Sequence, residues 1–113
     1  MDVTYRAWQT GEFTPQAEAH TFADGIAARV PCALPVNVMR ERLDAFYTVD
    51  EESIVETVAE MFREERILME GMCAPPFAIL EELRDEIAGK TIAIPVTGRN
   101  LPGPKVERVL SNQ

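Results

Sequence analysis

A chain of 113 residues is long enough for one domain and short for two. With 46% hydrophobic and 27% charged residues, its composition is that of a globular protein able to bury a core. The net charge of −8, from 19 acidic and 11 basic residues, excludes no fold, but it argues against a nucleic-acid partner, because no basic stripe is available to bind phosphates.

No apolar run approaches the roughly 18 residues that would mark a bilayer span. The opening "MDVTYRAWQT" lacks the basic-then-apolar layout of a secretory signal, so a cytoplasmic location with no membrane partner is expected. Cys32 and Cys73 lie far apart and outside any Cys-x-x-Cys pair, so both are expected to be reduced, buried thiols. His20 is the sole histidine and has no neighbouring nitrogen or thiolate to share a metal with.

Residues 1–10 can form a short helix, which the glycine and proline of "TGEFTP" end. "HTFADGI" reads as an extended piece entering a turn at which Gly25 supplies a positive φ. A helix is expected from Pro35 to Asp44, with proline in the first turn and Val36, Met39 and Leu43 on one face. "AFYTV" (Ala45–Val49), aromatic and β-branched, reads as a strand. Asp50 then caps a strong helix, "EESIVETVAEMFREER", acidic at its start and basic at its end. Its apolar face is Ile54, Val55, Val58, Ala59, Met61 and Phe62; Glu56, Glu60 and Glu64 make the solvated side.

Pro75 and Pro76 suit the start of a further helix, on which Phe77, Leu80, Leu83 and Ile87 form a stripe and Gly89 is the stop. "KTIAIPV" (Lys90–Val96) reads as a short apolar strand, and "GPKVERVL" as a closing helix. The alternation predicts an α/β fold, a single domain over residues 1–113. It would be an incomplete three-layer fragment, with a small sheet of two or three strands and four to five helices. So small a sheet leaves edges and an apolar face uncovered, which predicts completion by oligomerisation.

Singly, the chemical motifs are weak. "VTGRN" puts a hydroxyl, a glycine and an amide after an apolar strand, which suits either a ligand loop or a plain helix-capping turn. Glu70 before Gly71 reads as a buried carboxylate or as an exposed linker, and Asp24 as a ligand residue or an Asx-type turn.

Taken in order, "TFADGIA", "FYTVDEESI", "ILMEGMCAPPFAIL" and "IAIPVTGRN" resemble the carboxy-terminal stretch of the threonine and serine dehydratases, pyridoxal-phosphate enzymes of fold type II. The resemblance runs from about Tyr5 to Leu110 and rests on four ordered blocks with matching spacing. It implies that Gly25 is the point of closest approach to a cofactor ring and that Asp24 fixes its turn. It places Thr97 where the family has a hydroxyl or thiol bonded to the pyridine nitrogen, a neutral partner that leaves this nitrogen largely unprotonated. Gly98 and Asn100 fall in the family's Ser-Gly-Gly-Asn turn, and Glu70 in its Glu-Gly block. Thr97, Gly98, Asn100, Gly25 and Glu70 are thus the implied cofactor-binding residues.

The resemblance also implies what is missing. The family carries its Schiff-base lysine and glycine-rich phosphate loop in a part preceding this one, so the chain is expected to lack both. Lys90 and Lys105 lie outside any Ser-x-Lys setting, and no catalytic residue is assigned. Arg99, Met72, Cys73 and the two prolines replace small residues of the family pattern and would crowd a ring. The expectation is a chain inert alone, without bound cofactor, that associates with itself, most simply as a dimer. Two alternatives stand beside it: a subunit completing a dehydratase site with a separate chain, and a small-molecule binding module built on Thr97–Asn100.

Overall fold

The computed structural model describes residues 2–111, which fold as two compact units. The first takes the chain up to Thr21 together with Ile26–Thr48; the second takes Phe22–Gly25 and everything from Val49 onward.

In the first unit, α1 (Val3–Thr10) packs against α2 (Ala33–Arg42). Gly11 ends α1 in the left-handed region, φ 82°, with its N–H donating to the Ala7 carbonyl at 2.9 Å. Val3, Ala7 and Val36 are the buried aliphatics, and Tyr5, Trp8 and Phe46 form an aromatic cluster with ring centroids 5.7–6.3 Å apart. The Arg40 guanidinium reaches across to the Ala7 carbonyl at 3.3 Å.

The second unit is built on α3 (Glu51–Glu65), the element whose ends the sequence specifies most fully. The Asp50 carboxylate accepts from the Ser53 N–H and from its hydroxyl, both at 2.8 Å. Glu51 and Glu52 sit in the first turn, at the positive end of the helix dipole. The helix stops at Arg66, which takes φ 59° without being glycine, and the Ile67 N–H closes the end on the Met61 carbonyl at 3.2 Å. Against α3 lie a 3₁₀ turn at Gly71–Cys73, the short α4 (Pro75–Ala78) and α6 (Gly103–Ser111); α5 (Arg84–Ile87) follows α4. Ile54, Val55, Val58, Ala59, Met69, Cys73, Ala74 and Val109 make the core together with Phe22 and Ala23.

Several expectations are corrected. The fold is not α/β: the described residues contain helices and 3₁₀ turns and no strand, so the two- or three-stranded sheet is absent. A strand exists only by pairing, and the expected ones find no neighbour. "AFYTV" is divided between the units after Thr48, and Lys90–Val96 stands alone in the second. "HTFADGI" ends in a 3₁₀ turn at Asp24–Ile26, and Gly25 is not at positive φ; Gly11 and Gly89 are the glycines that are.

The helix expected from Pro75 to Gly89 is two short pieces joined by turns. Its stripe of Phe77, Leu80, Leu83 and Ile87 is only half-buried, while Ile79 off that stripe is buried. Without a neighbour covering the whole stripe, packing does not hold a long helix together. α2 starts two residues before Pro35, and Leu43 ends up exposed beyond its C-terminus. Cys73 is buried as expected, but Cys32 is exposed, at the extended position just before α2 where its side chain makes no capping bond. No helix among the described residues is long and apolar enough to cross a membrane.

Candidate functional site

The site in the second unit starts from Met69, whose fully buried side chain fixes the backbone just before Glu70. Glu70 then caps the Gly71–Cys73 turn, its carbonyl accepting from the Cys73 N–H at 3.0 Å. From this anchored position Glu70 holds the 98–100 loop twice. Its own N–H donates to the Gly98 carbonyl at 3.0 Å, and its Oε1 accepts the Asn100 N–H at 3.0 Å. A Cβ on Gly98 would overlap the Glu70 carboxylate, so a side chain there would have to displace that carboxylate from its bond to the Asn100 N–H. Cys73 Sγ lies 3.9 Å from both the Thr97 hydroxyl and the Gly98 carbonyl, weak contacts that close the inner side of the loop. The Thr97 residue itself is exposed.

A second layer of contacts surrounds the Asp24–Gly25 turn. Lys105, on α6, places its ammonium 2.7 Å from Asp24 Oδ2 and donates to the Phe22 carbonyl at 2.6 Å. The hydrogen bond from Lys105 holds the Asp24 carboxyl below its ordinary range. Lys105 and Arg108 also stand 5.3 and 5.7 Å from the centre of the Phe22 ring. The Phe22 N–H in turn donates to Glu51 Oε2 at 2.8 Å, which ties the turn to the start of α3. The bare face of Gly25 is covered by the Met72 side chain. Gly71 lies so close under the same turn that a Cβ there would sit 2.6 Å from the Phe22 ring and 2.9 Å from its carbonyl oxygen.

Four of the five implied site residues, Glu70, Thr97, Gly98 and Asn100, therefore come together, and Gly25 lies on Met72, two residues from Glu70. Asn100 enters through its backbone N–H, a role the sequence does not distinguish from a side-chain one. Sequence reasoning assigned no role to Lys105, Phe22 or Met69. Lys105 meets a partner 81 positions away, and no local spacing signals that. Met69 sits in an apolar run whose depth only the packing reveals. What the arrangement offers chemically is a neutral hydroxyl, on an exposed residue of a loop fixed by a carboxylate, beside a turn whose lysine is already paired.

The pattern of this loop and turn agrees with a wider match. The family model for "Pyridoxal-phosphate dependent enzyme" matches residues 1–98. The chain belongs to the pyridoxal-phosphate dependent enzymes. Within this pyridoxal-phosphate family, the L-threonine ammonia-lyase of Thermotoga maritima is 28% identical over 92 residues, covering 80% of the chain and 22% of the relative. The crystal structure of a T.th. threonine deaminase superposes with a TM-score of 0.75 at 26% identity, over 88% of the chain and 36% of the other. Serine racemase of Dictyostelium discoideum superposes with a TM-score of 0.74 at 25% identity, over 89% of the chain and 32% of the other. The resemblance to the dehydratases thus holds, and the chain spans between a fifth and a quarter of the length of the curated ammonia-lyase, 22%. The family match ends at residue 98, so Asn100, Lys105 and all of α6 lie beyond it.

Proposed function

We propose that this chain, by itself, is a catalytically inert, self-associating relative of part of a pyridoxal-phosphate dependent threonine or serine dehydratase. The observation that carries the reading is the state of its amines. A pyridoxal-phosphate site needs a free amine to hold the aldehyde and a cradle of N–H groups for the phosphate. The ammonium of Lys105 is engaged by Asp24 and the Phe22 carbonyl, and Lys90 lies exposed beyond Gly89. The glycine that would let a ring approach is covered from within by Met72. These residues do not fit the cofactor on their own, and no reaction step is assigned to them.

Self-association is supported by apolar side chains left in solvent, among them Leu34, Val38 and Ile92. The direct test is titration with pyridoxal phosphate, following visible absorbance, with Lys90→Ala beside the parent chain. The expected result is no saturable band beyond what Lys90→Ala removes. A saturable band that survives in Lys90→Ala overturns the reading.

A second reading is favoured by one observation. Thr97 is an exposed residue on a loop that Glu70 holds from two sides, with its hydroxyl 3.9 Å from Cys73 Sγ. Such a group could face a ring held by a separate chain, making this one a subunit that completes a dehydratase site. Ammonia release from L-threonine on mixing with a lysine-bearing partner, above that of the partner alone, supports this reading, and no gain removes it.

A further inference from the structure

The dipeptide Asp24–Gly25 carries a covalent liability. An aspartate followed by glycine can close a five-membered ring on its own backbone, because no Cβ shields the glycine nitrogen. Asp24 is the one aspartate of the chain that glycine follows; Asp2, Asp44, Asp50 and Asp85 precede Val3, Ala45, Glu51 and Glu86. The turn also meets solvent, with Asp24, Gly25 and Ile26 all exposed. We infer that Asp24–Gly25 is a site of spontaneous isoaspartate formation, and that the Lys105 ammonium is the group that holds this reaction back. The inference depends neither on cofactor binding nor on self-association.

Water is the sole co-reactant. The Gly25 nitrogen attacks Asp24 Cγ, the N–H proton and the carboxyl hydroxyl leave together as water, and a succinimide forms. Water then opens the ring at the Asp24 main-chain carbonyl. The peptide now runs through Cγ, and the former main-chain carbonyl is a free carboxylate. Lys105 opposes both requirements of the first step. Attack needs a neutral carboxyl, because a carboxylate is a poor electrophile. The Lys105 ammonium lies 2.7 Å from Asp24 Oδ2, and its hydrogen bond, more than the smaller contribution of the Gly25 N–H, holds that carboxyl ionised. Attack also needs a particular backbone. The ring eclipses Asp24 Cβ and the Gly25 nitrogen about the Cα–C bond, far from the ψ of a 3₁₀ turn such as Asp24–Ile26. Lys105 pins that turn by donating to the Phe22 carbonyl at 2.6 Å, while the Phe22 N–H is held by Glu51 at 2.8 Å. The Asp24 side chain itself is 63% exposed, open to the water that completes the reaction.

Incubation of the parent chain, Lys105→Met, Lys105→Arg and Met69→Ala at mildly acidic pH tests the inference. The tryptic peptide Ala7–Arg29 is followed, in which Asp24 is the sole aspartate. Isoaspartate appears there as a second peak of unchanged mass that accepts methyl groups from an isoaspartyl methyltransferase. The parent chain unfolded in urea gives the unrestrained rate, expected to be several-fold above that of the folded chain. Lys105→Met is expected to raise the folded rate several-fold, whereas Lys105→Arg, which keeps a cation, stays close to the parent. Met69→Ala loosens the core but leaves the ammonium in place, so its rate separates loss of the clamp from general loosening. No isoaspartate at Asp24 in the unfolded chain overturns the site. A Lys105→Met rate equal to the parent's, or an equal rise in Met69→Ala or Lys105→Arg, overturns the protecting role of the ammonium.

Discussion

At the scale of single residues, close approach between backbone segments decides most of what the site can do. Gly71 is required because the Phe22 backbone occupies the space a Cβ would need, whereas at Gly98 the obstacle is the Glu70 carboxylate, a side-chain end that can shift. Gly71→Ala is expected to cost about 1–3 kcal/mol in urea unfolding, since the obstruction includes a carbonyl and not only a mobile side chain. Met69→Ala, which empties a fully buried position beside Glu70, is expected to cost about 2–5 kcal/mol. Asp24 adds a pH dependence. Its folded pKa lies below 3.8, so its bond to Lys105 contributes above that value and is lost as pH falls through the lowered one. The melting temperatures of the parent chain and Asp24→Asn should therefore differ at pH 5 and converge as pH drops well below 3.8. A difference that persists undiminished would show that the ion pair is not its source.

At the scale of elements, what was legible in the sequence follows from where the determinants lie. α3 could be read because its determinants are local: Asp50 and Ser53 at one end, an acidic first turn, and the repeat of Ile54, Val55 and Val58. The expected strands could not be, because pairing is a property of two segments and the sequence shows each only singly. The stripe from Phe77 to Ile87 has helical spacing but only a partial neighbour, so spacing alone overstates it. Of the site, Glu70, Thr97, Gly98, Asn100 and Gly25 were reached only through the family resemblance; their individual motifs were ambiguous. Lys105, Met69 and Phe22 were out of reach, since their roles depend on contacts distant along the chain. The C-terminus of α3 offers its own test. Arg66 adopts a left-handed conformation that favours glycine, so Arg66→Gly should stabilise the chain by about 0.5–1 kcal/mol. A neutral or destabilising result would mean that the Arg66 side chain, which donates to the Phe62 carbonyl, outweighs the backbone preference.

At the scale of the whole molecule, the chain resembles part of a dehydratase, the Lys105 ammonium is engaged by Asp24 and Phe22, and Lys90 is exposed. The proposed association between copies would have to overcome a net charge of −8 on each. If apolar contacts drive it, the association should tighten as salt rises from about 10 mM to 150 mM and screening sets in. Weakening over that range would point to ion pairs as the glue. The most direct measurement for the account as a whole is ammonia release from L-threonine by the purified chain with pyridoxal phosphate and no second polypeptide. The predicted rate is that of the cofactor alone in solution. Turnover above that background that is retained in Lys90→Ala would contradict the account, because the ammonium of Lys105 is held by Asp24 and the Phe22 carbonyl.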